Sequence, residues 1–129
     1  PSMYSTVASA CGFDADAYRL YQQAARLDLD NFNADTEDGL HITSMAGSWI
    51  ALMHGFAGMF YQGGQLSFSP HCPEKWEQVK MRLHYRERLL EIRFNAEEFV
   101  CELLQGEPLE IAINGELIFV RDRWQQALK

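Results

Sequence analysis

The sequence predicts an α+β chain, with a helical first half followed by a small antiparallel two-layered β-sandwich. Three observations predict it. Apolar residues recur at i, i+3, i+4 and i+7 from Ile42 to about Phe60, the spacing of one helix face. From Val79 onward the apolar period changes to 2, the pattern of half-buried strands. Asn114-Gly115 then stands between two short apolar runs, the strongest short hairpin signal.

The helical elements follow in order. Ser2 to Ala10 is small and weakly apolar and ends at Cys11-Gly12, with Gly12 as a C-terminal stop. Asp14 is an N-cap for a second helix, Ala15 to Leu27, whose stripe is Tyr18, Tyr21 and Ala25, flanked by Ala17 and Ala24. Asp28 to Gly39 is rich in Asp and Asn and has no period, so it is a loop. The third helix carries Ile42, Met45, Ala46, Trp49, Ile50, Met53, Phe56, Ala57 and Phe60 on its stripe, and Gly47, Gly55 and Gly58 within it. Each interior glycine costs a helix about 1 kcal/mol against alanine, so it predicts the close approach of another backbone. Such a helix needs partners on most sides, and its apolar surface predicts self-association or pairing with further chain.

Gly63-Gly64 marks the boundary between a helical portion, 1–62, and a sheet portion, 63–129. Six strands are expected after it. They are Gln65–Ser69, Val79–Arg86, Leu90–Asn95, Phe99–Leu104, Leu109–Ile113 and Leu117–Val120. Turns at Glu87-Arg88, Asn95-Ala96-Glu97, Gln105–Pro108 and Asn114-Gly115 connect them, and short strands with tight turns form antiparallel sandwiches. Arg121 to Lys129 is polar and reads as a short helix or a frayed tail.

Composition narrows the function. In 129 residues with 47% apolar content a packed core of about one domain is expected. A net charge of −7 argues against nucleic acid, whose phosphates require clustered Lys and Arg. Cys11, Cys72 and Cys101 are an odd number without a C-x-x-C pair, which argues against a disulfide framework or a metal site and for a reducing cytoplasm. No signal peptide is visible. The Ile42–Phe60 run is interrupted by Ser44, Ser48 and His54 and lacks close Lys or Arg flanks, so it is not expected to span a membrane.

The stretch from Thr36 to Trp49 concentrates the candidate chemistry. An acidic loop gives way to a helix, and Gly39, His41, Thr43 and Ser44 lie at the junction. The first turn of a helix leaves N–H groups unpaired and carries partial positive charge, so it can hold an anion. The hydroxyls and the imidazole add donors. Ordinary helix capping by Thr43 or Ser44 explains the same residues without a ligand. Elsewhere, His54 fits a core histidine with satisfied ring nitrogens, His84 a solvent-facing strand position, and His71-Cys72 a poor metal geometry. Trp49 and Trp76 fit core anchors, while Trp124 could be an anchor or a sugar platform.

Leu27-Asp28-Leu29-Asp30-Asn31, the run Asp38-Gly39-Leu40-His41-Ile42-Thr43-Ser44-Met45-Ala46-Gly47 and Gly55-Phe56-Ala57-Gly58-Met59 resemble glycoside hydrolase family 65. Pro70, Pro73, Trp76 and Tyr85-Arg86-Glu87-Arg88-Leu89-Leu90 resemble the start of that family's C-terminal sheet domain. The resemblance covers essentially the whole chain. It implies the last helices of an (α/α)6 barrel followed by the β domain, so that the chain starts inside the barrel and is a portion of the full length. It also implies inverting phosphorolysis of an α-linked glucose disaccharide, with inorganic phosphate as co-substrate and no further cofactor.

In that reaction a carboxylic acid protonates the leaving oxygen and phosphate attacks the anomeric carbon in place of an activated water. The resemblance places His41, Thr43 and Ser44 around the phosphate, with Gly39 giving close backbone approach. It places the acid upstream, with no catalytic residue in this chain. Glu37 and Asp38 are then loop carboxylates, Cys72 replaces a large apolar side chain, and the chain alone is inactive. The alternative is a non-catalytic structural, sugar-binding or oligomerisation module.

Overall fold

The computed structural model describes residues 1–30 and 39–128. The expectations for Thr36, Glu37 and Asp38 lie outside the described residues. The chain divides into two compact units, Pro1–Phe56 and Ala57–Lys129.

In the first unit, α1 (Ser2–Ala10) and α2 (Asp14–Ala25) are joined by a three-residue turn in which Gly12 has φ 77°. The short α3 (Leu27–Asp30) follows, then α4 (Ile42–Ile50), which continues as a π-helical turn over Ala51–Phe56. The continuation packs on α1 and α4 packs on both α1 and α2. The glycines permit this. A Cβ on Gly55 would lie 3.3 Å from Thr6 Cα, and one on Gly47 would overlap Ser2. The buried Ser5 hydroxyl donates to the Ala17 carbonyl at 2.7 Å, tying α1 to α2.

Two stripes differ from expectation. The buried face of α2 runs through Ala17 and Ala24, because small residues let the helices approach closely; Ala25 is exposed. Tyr21 meets Phe56 edge-on, with centroids 5.4 Å apart. On α4 the first half of the apolar stripe is uncovered, with Ile42 73% and Trp49 56% exposed, so Trp49 is no core anchor; burial begins at Ala51, Met53 and Phe56. His54 is exposed on the π-helical turn, not a core histidine. The helix ends at Phe56 and not at Phe60. Gly58 has φ 56°, and its carbonyl accepts the Ser69 N–H at 3.2 Å. A Cβ there would overlap the Ser69 backbone, so conformation and space both require glycine.

The second unit has eight strands in two four-stranded sheets. These are β1 (Phe60–Gln62), β2 (Gln65–Phe68), β3 (Val79–Tyr85), β4 (Arg88–Phe94), β5 (Glu98–Gln105), β6 (Leu109–Ile113), β7 (Glu116–Val120) and β8 (Arg123–Ala127). The sheet orders are β1-β2-β6-β7 and β3-β4-β5-β8. The second sheet is wholly antiparallel. The first contains one parallel pair, β2 with β6, so the sandwich is mixed and not purely antiparallel. Leu66, Phe68, Ile111, Ile113, Ile118 and Val120 of one sheet and Leu90, Ile92, Phe94, Phe99 and Cys101 of the other form the core. Phe68 and Phe99 bridge the sheets at 5.5 Å.

Three turns sharpen the strand reading. Gly63-Gly64, with φ 58° and 86°, is the two-residue turn of the β1–β2 hairpin, so strand structure starts before it. The β3–β4 turn is Arg86-Glu87, both at positive φ, one residue earlier than the spacing suggests. Asn114-Gly115 forms the expected β6–β7 hairpin. The polar tail is neither helix nor frayed end; it pairs as β8 along β5.

On the outer face of the second sheet, Glu91 is only 7% exposed beneath cationic side chains. The Lys80 ammonium at 2.9 Å and the Arg82 guanidinium at 2.8 Å hold its carboxyl below the ordinary 4.5. A depressed carboxyl contributes stability above its unfolded value and loses it as pH falls through the folded one. Glu91→Gln is therefore expected to lower the urea midpoint at neutral pH. The gap to the parent chain should close progressively below about pH 4.5. A gap that stays constant down to pH 2 would contradict this account.

Candidate functional site

Helix α4 opens at Ile42 and its N-cap residue is His41, with φ −88° and ψ 77°. Thr43 and Ser44 are thus the second and third helical residues. Among the described residues neither hydroxyl has a hydrogen-bond partner, and neither caps the helix. The capping explanation for these two residues is therefore not what the geometry supports. Several donors of the first turn are already used. Ile42 N–H reaches the Leu40 carbonyl at 3.2 Å, and Ser44 and Met45 N–H reach the His41 carbonyl at 2.9 and 3.2 Å. Thr43 N–H has no acceptor among the described residues.

Gly39 precedes this turn with φ 102° and no described atom within 4 Å of a Cβ placed on it. Its conformation requires glycine, since L side chains rarely adopt this region; no close neighbour does.

The carboxylate that closes the helix end comes from α3. His41 N–H donates to both oxygens of Asp28, at 3.1 and 3.2 Å, and His41 Nδ1 lies 2.5 Å from Oδ1. A carboxylate can only accept, so the proton in this contact is assigned to Nδ1. The hydrogen bond from the imidazole holds the Asp28 carboxyl below its ordinary 3.8, the His41 N–H acting in the same direction against partial burial. The neighbouring Asp30 is occupied by Arg26, with contacts of 2.5 and 2.6 Å. Asp28 is therefore the acidic residue of α3 that faces His41.

The junction thus gathers Gly39, His41, Thr43 and Ser44 as expected from their spacing, and adds Asp28, to which sequence reasoning assigned no role. It places two hydroxyls and one N–H at the positive end of a nine-residue helix, beside the imidazole that Asp28 holds. That set of donors suits an oxyanion. The remaining candidates are dispersed. His71 and His84 are exposed, and Cys72 Sγ lies 3.7 Å from the Trp76 carbonyl, its thiol pushed up by burial. Trp124 lies on β8 opposite Cys101. Among the described residues no group of three or more His, Cys, Asp or Glu could hold a metal ion. No helix among them is long and apolar enough to cross a membrane.

Residues 1–50 match the central catalytic domain of glycosyl hydrolase family 65, and residues 59–120 match the C-terminal domain of the same family. The chain is 41% identical over 126 residues to the maltose phosphorylase of Bacillus subtilis (strain 168), covering 98% of this chain and 17% of that protein. It is 37% identical over 111 residues to the alpha,alpha-trehalose phosphorylase of Thermoanaerobacter brockii, covering 86% of this chain and 14% of the relative. A solved structure from the human microbiome, described as that of a putative kojibiose phosphorylase, superposes with a TM-score of 0.93 at 26% identity, over 100% of this chain and 19% of its own. The chain thus spans less than a fifth of the length of these relatives. Two matched domains of one family, and relatives of that family along nearly the whole sequence, establish that the chain belongs to glycosyl hydrolase family 65.

Proposed function

We propose that the chain is the C-terminal portion of an inverting disaccharide phosphorylase that acts on α-linked glucose disaccharides, and that it carries half of the phosphate site. The observation that carries this reading is the α4 junction. Thr43 and Ser44 hold hydroxyls without partners among the described residues, beside an imidazole fixed by a carboxylate, in a stretch that matches the family's catalytic domain. On this reading His41, Thr43 and Ser44 donate to phosphate, and Gly39 sets the backbone path into the helix. Phosphate held beside the anomeric carbon replaces the activated water of an inverting hydrolase.

The helices of Pro1–Phe56 are then the last helices of an (α/α)6 barrel. The exposed side chains Ile42, Met45 and Trp49 supply surface against which other barrel helices, or a second copy, would pack. The proton donor and the sugar pocket belong to barrel residues outside this chain. A structural, sugar-binding or oligomerisation module remains the alternative, and the same exposed stripe is the observation that favours it.

Isothermal titration separates the readings. The pure chain is expected to bind inorganic phosphate weakly and to release no glucose from maltose, trehalose or kojibiose in its presence. Silence to phosphate with measurable binding of maltose would favour the sugar-binding module. Phosphate-dependent release of glucose would show that a proton donor lies within the chain.

A further inference from the structure

We infer that the second unit carries a carbohydrate subsite of its own, a groove at one end of the sandwich that takes a neutral hexose unit. The inference is independent of the phosphate reading above. Three turns meet at the groove. They are Gly63-Gly64 between β1 and β2, Arg86-Glu87 between β3 and β4, and the turn at 106–108 between β5 and β6. The open cavity there has a volume of about 350 Å³, with Gln65, Arg86, Arg88, Glu110 and Phe119 in its lining. Small-ligand sites occupy about 300–1,000 Å³.

The polar groups of the groove are held in place without a ligand. The Arg86 guanidinium lies 5.6 and 5.5 Å from the ring centroids of Tyr61 and Tyr85 and donates to the Tyr61 hydroxyl at 2.7 Å. The Tyr85 hydroxyl donates to the Gly64 carbonyl at 3.1 Å. Arg88 donates to the carbonyls of Glu107, Arg86 and Pro108 at 2.6, 2.8 and 3.4 Å, so one side chain fastens two turns together. Gln65 Nε2 donates to the Leu66 and Glu110 carbonyls, both at 3.2 Å. Groups fixed in advance lose little freedom when a ligand binds.

The turn that presents Arg86 is conformationally costly. Two-residue hairpin turns with both residues at positive φ favour Asn-Gly, and the β6–β7 hairpin uses that pair. The β3–β4 hairpin instead holds Arg86 at φ 47° and Glu87 at 63°. Side chains rarely adopt this region, and such strain gathers at ligand sites.

The uncommitted groups define the ligand. Among the described residues, the other N–H groups of Arg86, the Gln65 amide oxygen and the Glu110 carboxylate have no hydrogen-bond partner. Donors and acceptors thus line one cavity together with Phe119, which is 52% exposed. A sugar unit matches this set. Its vicinal hydroxyls donate and accept at once, and the C–H face of its ring packs on an aromatic side chain. The Glu110 carboxylate disfavours a phosphate in the same place.

Glucose and maltose are titrated into the chain, and backbone amide spectra report where they bind. Saturable shifts are expected at Gly64, Gln65, Arg86, Glu110 and Phe119. Arg86→Asn removes the guanidinium and supplies a residue that tolerates positive φ. It is expected to keep or raise the melting temperature while saccharide affinity falls by about tenfold or more. Phe119→Ala, at an exposed position, is expected to weaken binding with the fold intact, and it repeats the test should the Arg86→Asn turn fail to fold. Absence of saturable shifts with both sugars overturns the inference. So do shifts confined to residues 1–56, and so does binding that survives in both variants. Inorganic phosphate is titrated in parallel. Phosphate shifts at the groove amides in place of saccharide shifts overturn the carbohydrate assignment, whereas phosphate silence at the α4 junction overturns only the earlier reading.

Discussion

Phe99→Ala is expected to destabilise the Ala57–Lys129 unit by about 3–5 kcal/mol, the range for deleting a buried phenyl ring and leaving its cavity. Phe99 is fully buried on β5 and meets Phe68 of the opposite sheet at 5.5 Å. Its strand lies between β4 and β8, so neighbouring backbone cannot collapse into the space. Many small domains have only about 5–15 kcal/mol of stability, and this one change removes a large part of it. Urea unfolding followed through Trp124, whose strand pairs with β5 next to Phe99, reads the loss. Leu104→Ala on the same strand, at a position 36% exposed, should cost far less. Equal midpoints for the two variants would mean that the two sheets are not joined through Phe99.

His41→Ala is the second large effect, and it falls on binding. If His41 donates to phosphate as proposed, loss of a hydrogen bond to that charged group is worth about 1.5–3 kcal/mol, or about 10- to 100-fold in affinity. Stability should fall by less than the binding does, because the imidazole contact to Asp28 is lost while alanine keeps the backbone N–H that reaches the same carboxylate. A phosphate titration paired with a thermal melt separates the two outcomes. A melt that collapses while phosphate affinity survives would assign His41 a structural role.

The legible parts of the chain are those where local pattern and final environment agree. Strand β3 alternates in sequence and in burial from Val79 to Tyr85, and Asn114-Gly115 could hardly be anything but a hairpin turn. Strand β1 was hidden because Phe60 continues the apolar period of the preceding helix. Strand β8 was hidden because an edge strand exposed to solvent has no apolar alternation to display. The π-helical turn at Ala51–Phe56 has no sequence signature of its own. At the site, Gly39, His41, Thr43 and Ser44 were visible because they are neighbours in sequence. Asp28 was not, since it stands thirteen positions before His41 and no spacing rule joins them.

The parallel pairing of β2 with β6 bears on the order in which the second unit forms. Ser67 and Phe68 lie beside Ala112 and Ile113, and Asn114 N–H closes on the Phe68 carbonyl at 2.9 Å. The β3–β4 and β4–β5 hairpins can nucleate from short loops. The first hairpin must wait until some forty further residues have been made before it gains a neighbour, and distant pairings of this kind are slow. During synthesis, Leu66 and Phe68 therefore stand on an open strand edge until β6 emerges. A ribosome paused between Phe68 and Leu109 would hold the nascent chain in its most aggregation-prone form.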